Sequence, residues 1–229
     1  MSKIGLIIAM DCEKQALMGM FGKYTEETIH GKVFTKTTYL NHDIVIVLAG
    51  IGKVNAAMAT TLLIDKYQPD LIINSGIAGG YDRKLKTLDL VVATSIAYSD
   101  VVVCTCEEEK YGQIPGLPEE FTCETELVKE LFNEEIHYGK VLSGDQFVVD
   151  YEKEASIVNE HFNNQNVLAF DMEAGSVAQV CHIMNTPLIS LKCISDIIGE
   201  TNLTDYYTFS IKASEKIGSF VEKVLNELK

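Results

Sequence analysis

Arginine is almost absent from this chain: of 19 basic residues, only Arg83 is not a lysine. The forked guanidinium clamp that grips phosphate bidentately therefore has one member to draw on. Basic charge is scarce altogether, with 33 acidic residues and a formal net charge of −14. A surface that negative repels phosphate backbones and anionic lipid, which argues against nucleic-acid and membrane partners. Long apolar runs are also lacking. No window approaches the roughly 18 residues of a membrane span. The run Ile4–Met10, behind a single Lys3, is too short for a secretory leader. These absences predict a cytoplasmic protein. The four prolines (Pro69, Pro115, Pro118, Pro187) are scattered, and no repeat or linker breaks the chain, so residues 1–229 read as one domain. Of six cysteines only Cys104 and Cys106 lie close together, with no second pair to complete a zinc site. No metal or cofactor is expected, and the thiols read as free.

What is present is a repeated strand-then-helix order. Lys3–Met10 is a continuous apolar run, the pattern of a strand covered on both faces. Asp11 is placed to cap a following helix. Runs at 32–40 and 43–49 suggest a hairpin through Asn41-His42. Gly50-Ile51-Gly52-Lys53 then opens a helix of about 15 residues, stopped near Pro69. Further strands are expected at Leu71–Asn74, 88–96, 138–142, Val167–Met172 and Leu188–Ser195. Helices are expected near 124–134, at 151–161, at Glu173–Met184 and from Asp205 onward. Residues 104–123 read as a long polar loop containing a solvated charge run, Glu107–Lys110. The pattern predicts an α/β fold of three layers, α/β/α, around a twisted, mixed, largely parallel sheet.

In open α/β sheets ligands sit beyond the carboxyl ends of the strands, and that is where the unusual residues fall. Glu13, Glu173 and Asp196 follow three different strands, and the glycine clusters 50–52 and 76–80 follow two more. Each has a bland reading beside the functional one. Glu13 and Glu173 suit first-turn helix positions, and Asp196 suits an N-cap. The glycines suit tight turns, Phe147 taken alone suits a core, and His161 and His182 suit packed or solvated helix positions. Gly50-Ile51-Gly52-Lys53 is neither a phosphate-binding P-loop nor a dinucleotide fingerprint, since Asn55 stands where a third glycine is needed. Together, three carboxylates and two glycine clusters on one rim describe a site.

At these residues the chain resembles the 5′-methylthioadenosine/S-adenosylhomocysteine nucleosidases of the nucleoside phosphorylase superfamily. The matching segments are IGLIIAMDCE (4–13), AGIGKVNAA (49–57), DLIINSGIAGG (70–80), YGQIPGLP (111–118), SGDQF (143–147), FDMEAGSVAQVCH (170–182) and ISD (194–196). The resemblance implies a nucleoside phosphorylase-like fold that hydrolyses the N-glycosidic bond of an adenine nucleoside without a cofactor. It implies Asp196 as general acid at adenine N7, Glu173 at the ribose hydroxyls and Glu13 as the base for water. It implies adenine stacked on Phe147 and bonded by the backbone of Val148, and Met172 against the ribose. Met10, Ile51 and Tyr206 would form the pocket for the 5′-alkylthio group, with Ala78, Gly79, Asp171 and Ser195 among the remaining binding residues. It further implies a homodimer in which a neighbouring subunit supplies the loop 113–118.

The chain departs from the family pattern at Ile77, where serine is usual, at Lys192, where arginine is usual, and at Ser99-Asp100, which replaces a His-Asp pair. Two other readings compete. A phosphorolytic relative would need to hold phosphate with Arg83, lysines and glycine amides alone. A nucleoside-binding protein with weakened catalysis is favoured by Ile77, but has no need of three clustered acids.

Overall fold

The structure, a computed structural model, describes residues 2–103, 109–129, 136–163, 165–200 and 203–228. The Cys104/Cys106 pair, Glu107 and Glu108 of the charge run and residues 130–134 of the helix expected near 124–134 lie outside them. The strands are β1 (Ser2–Ile8), β2 (Tyr24–Ile29), β3 (Lys32–Tyr39), β4 (His42–Leu48), β5 (Leu71–Gly80), β6 (Leu90–Tyr98), β7 (Phe121–Thr122), β8 (Ile136–Ser143), β9 (Val167–Asp171) and β10 (Leu188–Ile197). The helices are α1 (Asp11–Met18), α2 (Lys53–Tyr67), α3 (Glu126–Lys129), α4 (Tyr151–His161), α5 (Ala174–Ile183) and α6 (Leu203–Glu227).

The fold is α/β around a mixed sheet. Its central block β4–β1–β5–β10 is parallel throughout. The hairpin strands β3 and β2 extend it antiparallel beyond β4. On the other side β6, β8 and β9 run parallel to one another, but β6 is antiparallel to β10 and β9 to β5. Because β5 pairs with both β9 and β10, the strands β5, β10, β6, β8 and β9 close into a ring. An open sheet, assumed from the strand–helix alternation, is therefore corrected to a partly closed one. The β5–β9 pairing is Gly79 to Phe170 and Gly80 to Ala169, so two oppositely running strands meet at their carboxyl ends.

Helices α2 and α5 pack together on one face of the sheet and α1 and α6 on the other. In α6, Ala213, Ile217, Phe220, Val221, Val224 and Leu225 are buried at helical spacing. Val158 of α4 and Phe162, just past its end, enter a third cluster with Leu142, Phe170 and Ile198.

Several local expectations change. β2 went unread because its side chains are mostly exposed and carry no apolar alternation. Its signal was His30-Gly31, whose positive φ values of 49° and 80° make the tight turn into β3. The next hairpin turns at Leu40-Asn41, between paired Tyr39 and His42, one residue earlier than expected. Met10, not Asp11, is the N-cap of α1. The cluster 76–80 is the last half of β5 rather than a loop, paired with β10 and β9.

Candidate active site

The carboxyl ends of six strands surround one cavity. β1 leads to Met10 and, one turn into α1, Glu13, while β4 leads to Ile51. β5 contributes Ala78 and Gly79, and β8 leads to Phe147 and Val148. β9 ends in Asp171, Met172 and Glu173, β10 carries Ser195 and Asp196, and Tyr206 reaches in from the first turn of α6. Every site residue singled out in the sequence lines this cavity. It also includes Ala9, Ile77, Gln146 and Phe170. The empty space is about 660 Å³ with its solvent-filled mouth.

The three acids are buried, with exposures of 3% for Glu13, 9% for Glu173 and 7% for Asp196. Glu13 Oε2 accepts the amides of Met10 at 3.0 Å and Ala9 at 3.2 Å, and Oε1 accepts that of Ile77 at 2.9 Å. It thus caps α1, as its position allowed, while also reaching across to β5. Gly76 makes that reach possible: a Cβ there would stand 2.8 Å from Glu13 Oε1. Burial pushes the Glu13 pKa up, partly offset by the Ile77 and Met10 amides and by Lys192.

Glu173 sits at the N-cap position of α5 without capping it. Its Oε1 instead accepts the Gly52 amide at 2.8 Å. Gly52 has φ +95°, a left-handed conformation only glycine adopts freely, and this aims its N–H into the site. Burial, then the Asp171 charge, lifts the Glu173 pKa to about 7, against the pull of Lys192 and the Gly52 amide. Asp196 lies within β10 and begins no helix, so its N-cap reading is set aside. Its Oδ1 accepts the Ser195 hydroxyl at 2.6 Å. Burial raises its pKa and the Ser195 bond only moderates the rise.

Asp171 lines the cavity, but its carboxylate faces inward. It accepts the Ala174 amide at 2.9 and 3.2 Å and pairs with Lys192 Nζ at 2.7 Å. Both side chains are almost wholly enclosed, at 2% for Lys192 and 1% for Asp171. Burial works against the Lys192 charge, but Asp171, Glu173 and Glu13 outweigh it and raise its pKa. Lys192 therefore supplies the positive charge beneath the acids through a single ammonium rather than a planar fork. The Ser99-Asp100 departure also has a partner. Lys53 Nζ bonds both Asp100 oxygens at 2.8 Å, Asp100 accepts the Asp145 amide at 2.9 Å, and Asp145 accepts the Lys53 amide at 2.7 Å. That network fastens the Gly50–Gly52 turn to the loop after β8.

Phe147 is 48% exposed at the mouth, not in the core, with its ring 5.0 Å from Tyr206 at 78°. His161 stacks on Tyr111 at 4.2 Å and His182 tilts over Phe121 at 5.6 Å, both away from the cavity. Among the described residues no cluster of metal-binding side chains occurs, and no helix is long and apolar enough to cross a membrane.

A pH effect on stability follows from Glu173. Its folded pKa of about 7 exceeds the ordinary 4.5, so the native state keeps a proton that the unfolded chain releases. The stabilisation is full below pH 4.5 and is lost as pH rises through about 7. Glu173→Gln is expected to flatten the fall in Tm over that window. An unchanged slope in thermal melts would show that Glu173 titrates normally.

The Phosphorylase superfamily profile matches residues 3–226. The 5′-methylthioadenosine/S-adenosylhomocysteine nucleosidase of Bacillus cytotoxicus is 37% identical over 99% of this chain and 100% of its own length. The solved nucleosidase of Neisseria meningitidis in complex with methylthio-immucillin-A superposes with a TM-score of 0.91 at 30% identity, covering all of both chains. A mutant of the Helicobacter pylori enzyme with 5′-methylthioadenosine in its active site superposes at 0.92, with 30% identity and both chains fully covered.

Proposed function

This chain belongs to the phosphorylase superfamily and, within it, to the 5′-methylthioadenosine/S-adenosylhomocysteine nucleosidases; from that premise we propose that it hydrolyses the N-glycosidic bond of 5′-substituted adenosines, methylthioadenosine and S-adenosylhomocysteine first among them. The observation that carries the reading is the convergence of Glu13, Glu173 and Asp196, all buried and all with raised pKa values, on one cavity.

Each acid has a distinct task. Cleaving an N-glycoside needs a protonated leaving base, a stabilised oxocarbenium-like ribosyl group and water on the opposite face, a two-carboxylate logic shared with O-glycosidases. Asp196, desolvated and therefore protonated to a higher pH than a free aspartate, gives its proton to adenine N7. Electrons of the C1′–N9 bond leave with adenine. Three amides partly offset the burial that raises the Glu13 pKa, and the net rise makes its carboxylate a stronger base than a free glutamate, so it takes the proton of the water that adds to C1′. Glu173 has one oxygen on the Gly52 amide and offers the other to the ribose hydroxyls. Adenine stacks on Phe147 with its edge on the Val148 backbone, while Met172 meets the ribose and Met10, Ile51 and Tyr206 the 5′ group. Products are adenine and the 5′-substituted ribose, and solvent restores both carboxyls.

Adenine release from methylthioadenosine, S-adenosylhomocysteine and 5′-deoxyadenosine, in buffer with and without phosphate, tests the proposal. Release independent of phosphate is expected. A requirement for phosphate would mean phosphorolysis, and adenine binding without release would mean a binding protein. A further expectation concerns Ile77, which places an apolar side chain on the cavity wall while its amide holds Glu13. Ile77→Ser should add one hydroxyl partner for the water and raise kcat about two- to tenfold, the worth of one hydrogen bond. A kcat that stays level or drops would deny that the water passes there.

We read the working form as a cytoplasmic homodimer. Val54 and Met58 stand exposed one turn apart on α2, at 79% and 38%, and Ile51, just before the helix, is 53% exposed, a short apolar stripe. A stripe of that kind marks a contact surface, and Ile51 would carry it into the 5′ pocket beside a partner's loop 113–118. Light scattering should give twice the chain mass.

A further inference from the structure

We propose that Arg83 is a positioning residue for the adenine half of the cleft, locking the Phe147–Val148 rim to the end of the strand that bears Asp196; this rests on the nucleosidase reading above. The only arginine in the chain lies just beyond β5, outside the cavity. Its guanidinium carbon sits 3.6 Å from the centroid of the Tyr151 ring. The same guanidinium donates to the Ile198 carbonyl at 3.4 Å and pairs with Glu200. Tyr151 opens α4, directly after the rim segment, and Ile198 follows Asp196 closely. One side chain therefore bridges both walls from behind.

The contacts inward are continuous. Tyr151 stacks on Tyr81 at 5.4 Å and 21°, and Tyr81 meets Phe170 at 5.7 Å and 64°. Phe170 itself lines the cavity. Gly199, at φ +81°, lies so close that a Cβ would stand 2.9 Å from Tyr151 Cβ. The two rims thus touch at Gly199 and Tyr151, and Arg83 covers that seam. Arg83 and Glu200 are 41% and 62% exposed, so their ion pair contributes little. The guanidinium placed over the Tyr151 ring carries the effect, and lysine does not reproduce it.

Arg83→Ala is expected to raise the KM for methylthioadenosine and the Kd for adenine about three- to tenfold, with kcat within about twofold. Arg83→Lys should show most of that shift. Tyr151→Ala should cost at least as much, since it also removes the Tyr81 stack, and the double variant should be no worse than Tyr151→Ala, because Arg83 acts through that ring. Unchanged KM and Kd, even with a lowered Tm, would make Arg83 a purely structural residue and overturn the proposal, as would additive losses in the double variant. If Arg83→Ala does not fold, Arg83→Lys is judged by the same criteria. Adenine Kd is measured by calorimetry without turnover. A wild type that releases no adenine, yet binds it with the Arg83-dependent Kd, would sink the reaction and keep the positioning role. One that neither releases nor binds adenine would overturn both.

Discussion

Asp196→Asn is expected to lower kcat by about 10²–10⁴-fold, the usual worth of a positioned proton donor, while methylthioadenosine still binds. The side chain lies in β10, and its Oδ1 accepts the Ser195 hydroxyl, a bond an asparagine oxygen preserves. The variant should therefore keep its fold and Tm. What it loses is the acidic proton, and an amide has none to give at any working pH. The loss should accordingly appear in kcat rather than KM. Turnover near that of the wild type would remove Asp196 from the reaction.

Glu13→Gln should cost a similar factor, about 10²–10⁴ in kcat, but with a second signature. Glu13 accepts backbone amides on both oxygens, from Ala9 and Met10 on one and from Ile77 on the other. Glutamine has only one acceptor oxygen, so its NH2 must face an N–H on one side. Leaving a buried donor unsatisfied costs about 1–3 kcal/mol, and Tm should fall accordingly. Calorimetry should still record adenine binding, because the base stands on the water side of the sugar. Normal hydrolysis by the folded variant would assign the base elsewhere.

The strands of the central block were legible because burial on both faces leaves continuous apolar runs, as in Ile4–Ile8 and Leu71–Ile73. The acids were legible because each stands abruptly beside such a run. What was hidden is non-local. Nothing in Gly76–Gly80 distinguishes a loop from a strand paired with β10 and β9, since pairing partners lie far away in sequence. Taken alone Phe147 suited a core, as aromatics usually do, and only the resemblance assigned it to the ligand; its ring stands exposed at the mouth against Tyr206 of α6. Lys192 stood out as a substitution, yet its pairing with Asp171 depends on the middle of β10 facing the end of β9 across the ring. The Gly52 amide was invisible because backbone donors carry no sequence signature.

The ring of β5, β10, β6, β8 and β9 has no free edge along which a strand can slip. Asp196 and Glu173 are attached to members of that hoop, and Glu13 is tied to it through the Ile77 amide, so their spacing tolerates little drift. The shape of the entrance is set by pieces outside it, the segment after β8 with Phe147 and Val148 and the opening turn of α6 with Tyr206. Evolution can retune what enters at those two appendages while the geometry of bond cleavage stays untouched.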